Sequence, residues 1–113
     1  MKSFSLKTTA RNQLVDILAQ TQAALDELVR EKSTDCGCVV VYCPHTTGAI
    51  TVNEDYDPDV KVDMLAKLSR EIPQDEDYRH AEGNSDSHIK ASLIGTSETL
   101  IVKGGKVQLG RWQ

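Results

Sequence analysis

Aromatic side chains are scarce in this chain. Of 113 residues, one is tryptophan, three are tyrosine and one is phenylalanine. The core must therefore be mostly aliphatic. Basic residues are not in excess: 13 Lys and Arg against 17 Asp and Glu leave a formal net charge of -4. That balance argues against nucleic acid as a partner, because non-specific binding needs a basic face to neutralise phosphates. No apolar run reaches the roughly 20 residues that cross a bilayer, so no membrane partner is expected. The start, Met1-Lys2-Ser3-Phe4-Ser5-Leu6, lacks the apolar stretch of a signal peptide, and the expected location is cytoplasmic. Three cysteines, Cys36, Cys38 and Cys43, are an odd and closely spaced set. They do not suggest a disulfide scaffold, and they read as buried strand thiols packing as small hydrophobes. A glycine-rich phosphate loop, a nucleophile elbow and a dinucleotide fingerprint are all absent.

What is present concentrates in one stretch, Tyr78 to Leu93. It holds His80 and His88, with Glu82, Gly83, Asn84, Ser85 and Asp86 between them. Ser85 or Asp86 can cap a helix whose Ile89 and Leu93 share one face, with Gly95 as its stop. A loop rich in donors and acceptors that feeds a helix start favours an anion, because free N–H groups and the helix dipole both attract negative charge. The plainer alternative is a polar surface loop with a well-capped helix.

The rest of the chain reads as one domain over residues 1–113. Phe4 and Leu6 alternate with polar residues like a short strand, Thr8 to Arg11 is a turn, and Gln13 to Ile17 is a second candidate strand. Ala19 to Glu31 is helical, with Leu18, Leu25 and Leu28 along one stripe. Cys38 to Cys43 is continuously apolar and β-branched, which predicts a strand covered on both faces and ended by Pro44. Ala49 to Asn53 is a further strand. Asp57-Pro58 opens a helix whose Val60, Met64, Leu68 and Ile72 recur every four residues as a core stripe, and Pro73 ends it. Thr99 to Val102 and Val107 to Leu109 form a hairpin across Lys103-Gly104-Gly105-Lys106. The pattern predicts an α+β domain in which a mostly antiparallel sheet packs with two main helices and one short one.

All three histidines fall at element edges or in polar loops. Three histidines suit a zinc-type centre that leaves one position for water or substrate. His80 and His88 are eight positions apart across a turn, so no single helix presents both. Without a metal, His45, His80 and His88 would bind an anion or exchange protons near neutral pH. Taken singly, each reads equally as a hydrogen-bonded surface residue. Glu54 follows the strand that pairs with the one before His45, and it could orient a histidine or act as a base. Thr46 and Thr47 could receive phosphate or merely cap a turn. Arg79 could grip phosphate or pair with Asp75, Glu76 or Asp77.

Four segments together carry a resemblance: Pro44-His45-Thr46-Thr47; Ile50-Thr51-Val52-Asn53-Glu54; Asp57-Pro58-Asp59-Val60; and Tyr78 to Ala91. They closely resemble the YjbQ-like family, often labelled secondary thiamine-phosphate synthase, and the similarity runs from Phe4 to Gln113. The resemblance implies a compact α+β fold assembled as a homotrimer with sites near subunit boundaries. It also implies a histidine cluster, here His45, His80 and His88, able to hold a metal, zinc first, or an anion. Glu54, Asn84, Ser85 and Asp86 fall within the same motifs. Family members continue past Trp112-Gln113 into a further strand and a basic tail, so an unpaired sheet edge is expected here.

Three functions follow as expectations. The first is a thiamine-phosphate synthase-like enzyme with His45, His80 and His88 on a divalent metal, Thr46, Thr47, Arg79, Asn84 and Ser85 on phosphate, and Glu54, Glu82 and Asp86 as catalytic candidates. The second is a non-catalytic module that captures a small phosphorylated metabolite, an inorganic anion or a metal. The third is a structural loop in a subunit interface.

Overall fold

The computed structural model describes residues 1–113. The element order is α1 (Leu18–Lys32), β1 (Gly37–Tyr42), α2 (Pro58–Glu71), α3 (Ser85–Ile94), β2 (Ser97–Lys103) and β3 (Lys106–Val107). The fold is α+β, with three helices and one antiparallel sheet ordered β1-β2-β3. β1 runs against β2 from Gly37 opposite Val102 to Tyr42 opposite Ser97. The β2–β3 hairpin turns on Gly104 at φ 59 and Gly105 at φ 70. Two successive positive φ values are the type I′ geometry that side-chain-bearing residues resist.

Each helix boundary has a local cause. The Asp16 carboxylate accepts the Leu18 N–H at 2.8 Å and starts α1. Ser33 ends it in the left-handed conformation at φ 52, beside Arg30 and Lys32, which complement the helix dipole. Asp57 caps α2 by accepting the Asp59 N–H at 2.9 Å, with Pro58 at the first helical position. Gly95 stops α3 as expected, its N–H donating to Ala91 at 2.9 Å. The N-cap of α3 is Asn84 rather than Ser85 or Asp86, which places Asp86 inside the first turn.

α1 is joined to the hairpin by one amide. Gln22 Nε2 donates to the Gly105 carbonyl at 2.8 Å, and its Oε1 accepts the Val107 N–H at 3.2 Å. One side chain thus satisfies two backbone groups, as a neighbouring strand would. Gln22→Ala should cost about 1 to 3 kcal/mol, the range for losing a hydrogen-bonded side chain over backbone groups. Urea unfolding monitored by circular dichroism checks this, and a loss under about 0.5 kcal/mol would remove Gln22 from the hairpin's support.

Several expectations give way. Phe4–Leu6, Gln13–Ile17 and Ala49–Asn53 lie outside the helices and strands and join no sheet. They find isolated bonds at most, such as Ile50 N–H to the Gly95 carbonyl at 3.0 Å. Alternating hydrophobicity reports a two-faced environment, whereas a strand also needs a partner ladder. β1 is not covered on both faces. Val39 and Val41 are half-buried, while Cys38, Val40 and Tyr42 are exposed, with Thr99 and Ile101 beside them on β2. Cys36 is exposed too, and Cys43 is half-buried, so none of the three thiols is a buried one. The α2 stripe of Val60, Met64, Leu68 and Ile72 is half-buried only, and no residue of α2 is fully buried.

The hydrophobic core is small: Leu25, Ala91 and Val102 are its buried members. The accessible surface is 8243 Å², against about 6,200 Å² for a compact monomer of this mass. The radius of gyration is 16.1 Å, against about 13 Å for a packed chain of this length. No helix is long and apolar enough to cross a membrane.

Candidate functional site

The loop from Tyr78 to Asn84 and the first turn of α3 bring His80 and His88 together. Their ring centroids lie 5.4 Å apart at an interplanar angle of 87°. This is the edge-to-face arrangement that aromatic rings favour. His80 is exposed and His88 half-buried. Glu82 Oε2 stands 3.6 Å from His80 Nε2, with both side chains open to solvent.

Asn84 sits at the helix start with its carbonyl accepting the N–H groups of Ser87 at 3.0 Å and His88 at 3.3 Å. Its side chain makes no cap bond, and its Oδ1 is buried without a hydrogen-bond partner. An unsatisfied buried acceptor is costly. Ser85 beside it is half-buried, and Arg79 is exposed. Arg79 pairs with none of Asp75, Glu76 and Asp77 and is free to reach a ligand.

Asp86 lies differently from the other candidates. It is fully buried. Lys90 Nζ donates to Oδ2 at 2.8 Å and Arg11 Nη2 donates to Oδ1 at 2.7 Å. Burial pushes the carboxyl up, but the two cations outweigh it and hold Asp86 below its ordinary value of 3.8. A carboxylate occupied on both oxygens and closed from solvent has no open position for catalysis, so its place here is structural. Lys90 is itself buried, and the inner side of α3 is therefore polar. Ile89 and Leu93, expected to face a core, are 40% and 71% exposed.

His45 belongs to a separate turn. Its Nδ1 accepts the Thr47 N–H at 3.2 Å and meets Thr47 Oγ1 at 3.1 Å. Thr46 is exposed and Thr47 half-buried. An Nδ1 that accepts from a backbone N–H leaves the neutral ring's proton on Nε2. Nε2–H is then a donor suited to an anion oxygen. A metal-bound histidine has the opposite pattern, in which the second ring nitrogen donates. No group of three or more His, Cys, Asp or Glu side chains comes together to hold a metal ion. The expected zinc-type centre of His45, His80 and His88 is therefore not assembled within one chain. The eight-residue spacing brings two rings together, while His45 is fixed by its own turn.

Glu54 is half-buried in another place. It lines two adjoining open clefts of about 450 and 470 Å³ with Trp112, and neither cleft includes a histidine. The Trp112 carbonyl accepts the Asp55 N–H at 2.8 Å, Tyr56 tilts against the indole at 4.9 Å, and Arg111 lies over it at 4.6 Å. Sequence reasoning missed Arg11, Lys90, Tyr56 and Trp112. Asp86 and Lys90 at i and i+4 are a legible helical pair, but nothing local points from Arg11 to a residue 75 positions on.

Comparison with known proteins agrees with this architecture. The sequence profile of the UPF0047 protein YjbQ-like family matches residues 2–113. A UPF0047 protein of Methanocaldococcus jannaschii is 48% identical over 110 residues, covering 97% of this chain and 77% of the relative. The UPF0047 protein YugU of Bacillus subtilis is 41% identical over 114 residues, covering 100% and 83%. The crystal structure of an uncharacterised YjbQ/UPF0047 protein from Clostridium acetobutylicum superimposes with a TM-score of 0.87 at 46% identity, covering 97% of this chain and 82% of that one. With a matching profile across nearly all its residues, close relatives and the same fold, the chain belongs to the YjbQ-like UPF0047 family.

Proposed function

We propose that this chain binds a small phosphorylated metabolite, or the inorganic anion that mimics it, at the start of α3, with His80 and His88 as the contacting imidazoles. The carrying observation is the edge-to-face pair at 5.4 Å beside the helix N-terminus. The imidazole N–H groups can donate to an anion oxygen, and Arg79, Ser85 and the free N–H groups of the first turn supply further donors. His45, Thr46 and Thr47 form a second donor turn that fits the same kind of ligand. A cytoplasmic setting belongs with this reading, since phosphorylated metabolites are kept there.

Calorimetric titration with pyrophosphate tests it. The native chain should bind saturably. His88→Ala should weaken binding by about tenfold or more, as expected for losing a charge-assisted hydrogen bond, with the circular dichroism spectrum unchanged. Absence of binding by the native chain between pH 6 and 7.5 would defeat the reading.

Transfer chemistry on phosphorylated thiamine precursors is the second reading. It is favoured by Glu82, whose carboxylate stands 3.6 Å from His80, the reach of a proton relay that closes by a small side-chain movement. Glu54 is the alternative base. One chain presents no three-ligand centre, so no step is assigned to a metal. Product formation above a His80→Ala control separates this reading from simple capture.

Copies of the chain associate in the same proposal, as a homotrimer, through the open side of the sheet. The surplus of about 2,000 Å² over a compact monomer is of the size that a standard protein interface removes from water.

A further inference from the structure

We propose that Arg11 is the positioning residue for the His80–His88 pair, an inference that rests on the anion-binding reading above. One guanidinium nitrogen, Arg11 Nη2, donates to the Gly83 carbonyl at 3.1 Å and to Asp86 Oδ1 at 2.7 Å. Gly83 lies in the loop that carries His80, and Asp86 lies in the helical turn that carries His88. A single group thus holds both halves of the site.

The surrounding chemistry makes this clamp specific. Gly83 has φ 72, a left-handed conformation that turns its carbonyl out of the path an ordinary residue would take. Asp86 cannot drift, because Lys90 holds its other oxygen at 2.8 Å and the carboxylate is fully buried. Arg11 itself comes from a segment outside the helices and strands. Its side chain remains 40% exposed, so it acts as a strap over the outside of the loop rather than as part of the core. A guanidinium presents several donors in a rigid fork, whereas a lysine presents a point charge on a flexible stem. Arg11→Lys therefore keeps the charge beside Asp86 but is one bond shorter and gives up the planar Nη2, whose two fixed N–H groups serve the Gly83 carbonyl and Asp86 Oδ1 together.

The test uses the whole chain with Arg11→Lys, and Arg11→Ala as a second variant. The imidazole resonances of His80 and His88 are recorded with their mutual cross-relaxation, and pyrophosphate is titrated separately. In Arg11→Lys the fold should persist, the cross-relaxation between the rings should vanish, and pyrophosphate affinity should fall about tenfold. Arg11→Ala should show the same loss. Unchanged ring contacts and affinity in both variants would overturn the proposal. Global unfolding of Arg11→Lys would overturn it too, by making the strap a support of the whole chain. If the native chain binds no pyrophosphate, the anion reading fails by itself, and the ring contacts in the two variants still decide whether Arg11 positions the pair.

Discussion

Asp86→Asn should destabilise the chain by about 3 to 5 kcal/mol, the range for breaking a buried ion pair from one side. The substitution keeps the shape and removes the charge, so the cost is electrostatic. It strands Lys90, whose side chain is 9% exposed, and it releases Arg11, whose side chain is 40% exposed and finds water again. Lys90 therefore carries most of the penalty. Asp86→Asn combined with Lys90→Met removes the stranded ammonium and should recover a large part of the loss, since apolar replacement of a whole buried pair is often close to neutral. Against a total stability of about 5 to 15 kcal/mol, the single change would leave a marginal fold. The pH dependence has a definite sign. Asp86 is held below its ordinary value in the folded chain, so on acidification the unfolded chain takes up this proton first. The carboxylate's contribution is fully present above about pH 4, the unfolded value, and is lost as pH falls through the folded value. Urea unfolding from pH 7 down to pH 2.5 should show this acid limb in the native chain and a flatter one in Asp86→Asn. A variant within about 0.5 kcal/mol of the native chain at pH 7 would show that the triad contributes nothing.

In the proposed assembly, Val40→Glu should separate the copies into single chains. Val40 and Tyr42 are each 62% exposed and Ile101 is 64% exposed on the open side of the sheet. Cross-strand neighbours on one face make a continuous surface. Elsewhere on the chain Leu93 is 71% and Val62 60% exposed, so apolar area is distributed well outside the three-residue core. Exposed apolar surface on this scale marks an interaction site. A carboxylate at its centre would have to be buried without a partner on association, which costs several kcal/mol at each copy. Sedimentation velocity should give the native chain a mass near three times 12.5 kDa and the variant a single-chain mass. A native chain that sediments at 12.5 kDa across the micromolar range would end the assembly proposal. Because the His80–His88 ring contact lies within one chain, dissociation by Val40→Glu should leave it in place.

The readable parts of the fold share one property: their cause is local. Asp57 and Pro58 start α2 and Pro73 follows its end because capping and a missing N–H act within a few residues. Gly104 and Gly105 mark the hairpin because two positive φ values suit few other residues. β1 and β2 were legible from β-branched runs. The segment Ala49–Asn53 looks equally strand-like, yet a ladder needs a partner that no window of sequence contains. The site divides in the same way. Polar density between His80 and His88 marked the loop, and the helix start behind it was visible. That the two rings meet edge to face, and that His45 turns onto Thr47 instead of joining them, depends on backbone paths between the elements.

Asp86 shows where the boundary falls. Its position in a polar motif made it an N-cap and a catalytic candidate, and its i+4 lysine was in plain view. Arg11, brought from 75 positions away, makes it a closed triad, and burial with both oxygens occupied gives it a structural role. Composition, periodicity and local caps by themselves determined the α+β class, the ends of α2, the stop of α3, the hairpin and the loop in which donors and acceptors concentrate, because propensities, caps and turns act over a few residues. The tertiary structure alone decided which face of β1 and α3 is covered, which histidines share a space and which carboxylate is locked away. Burial and charge pairing are set by groups that the chain brings together only when it folds.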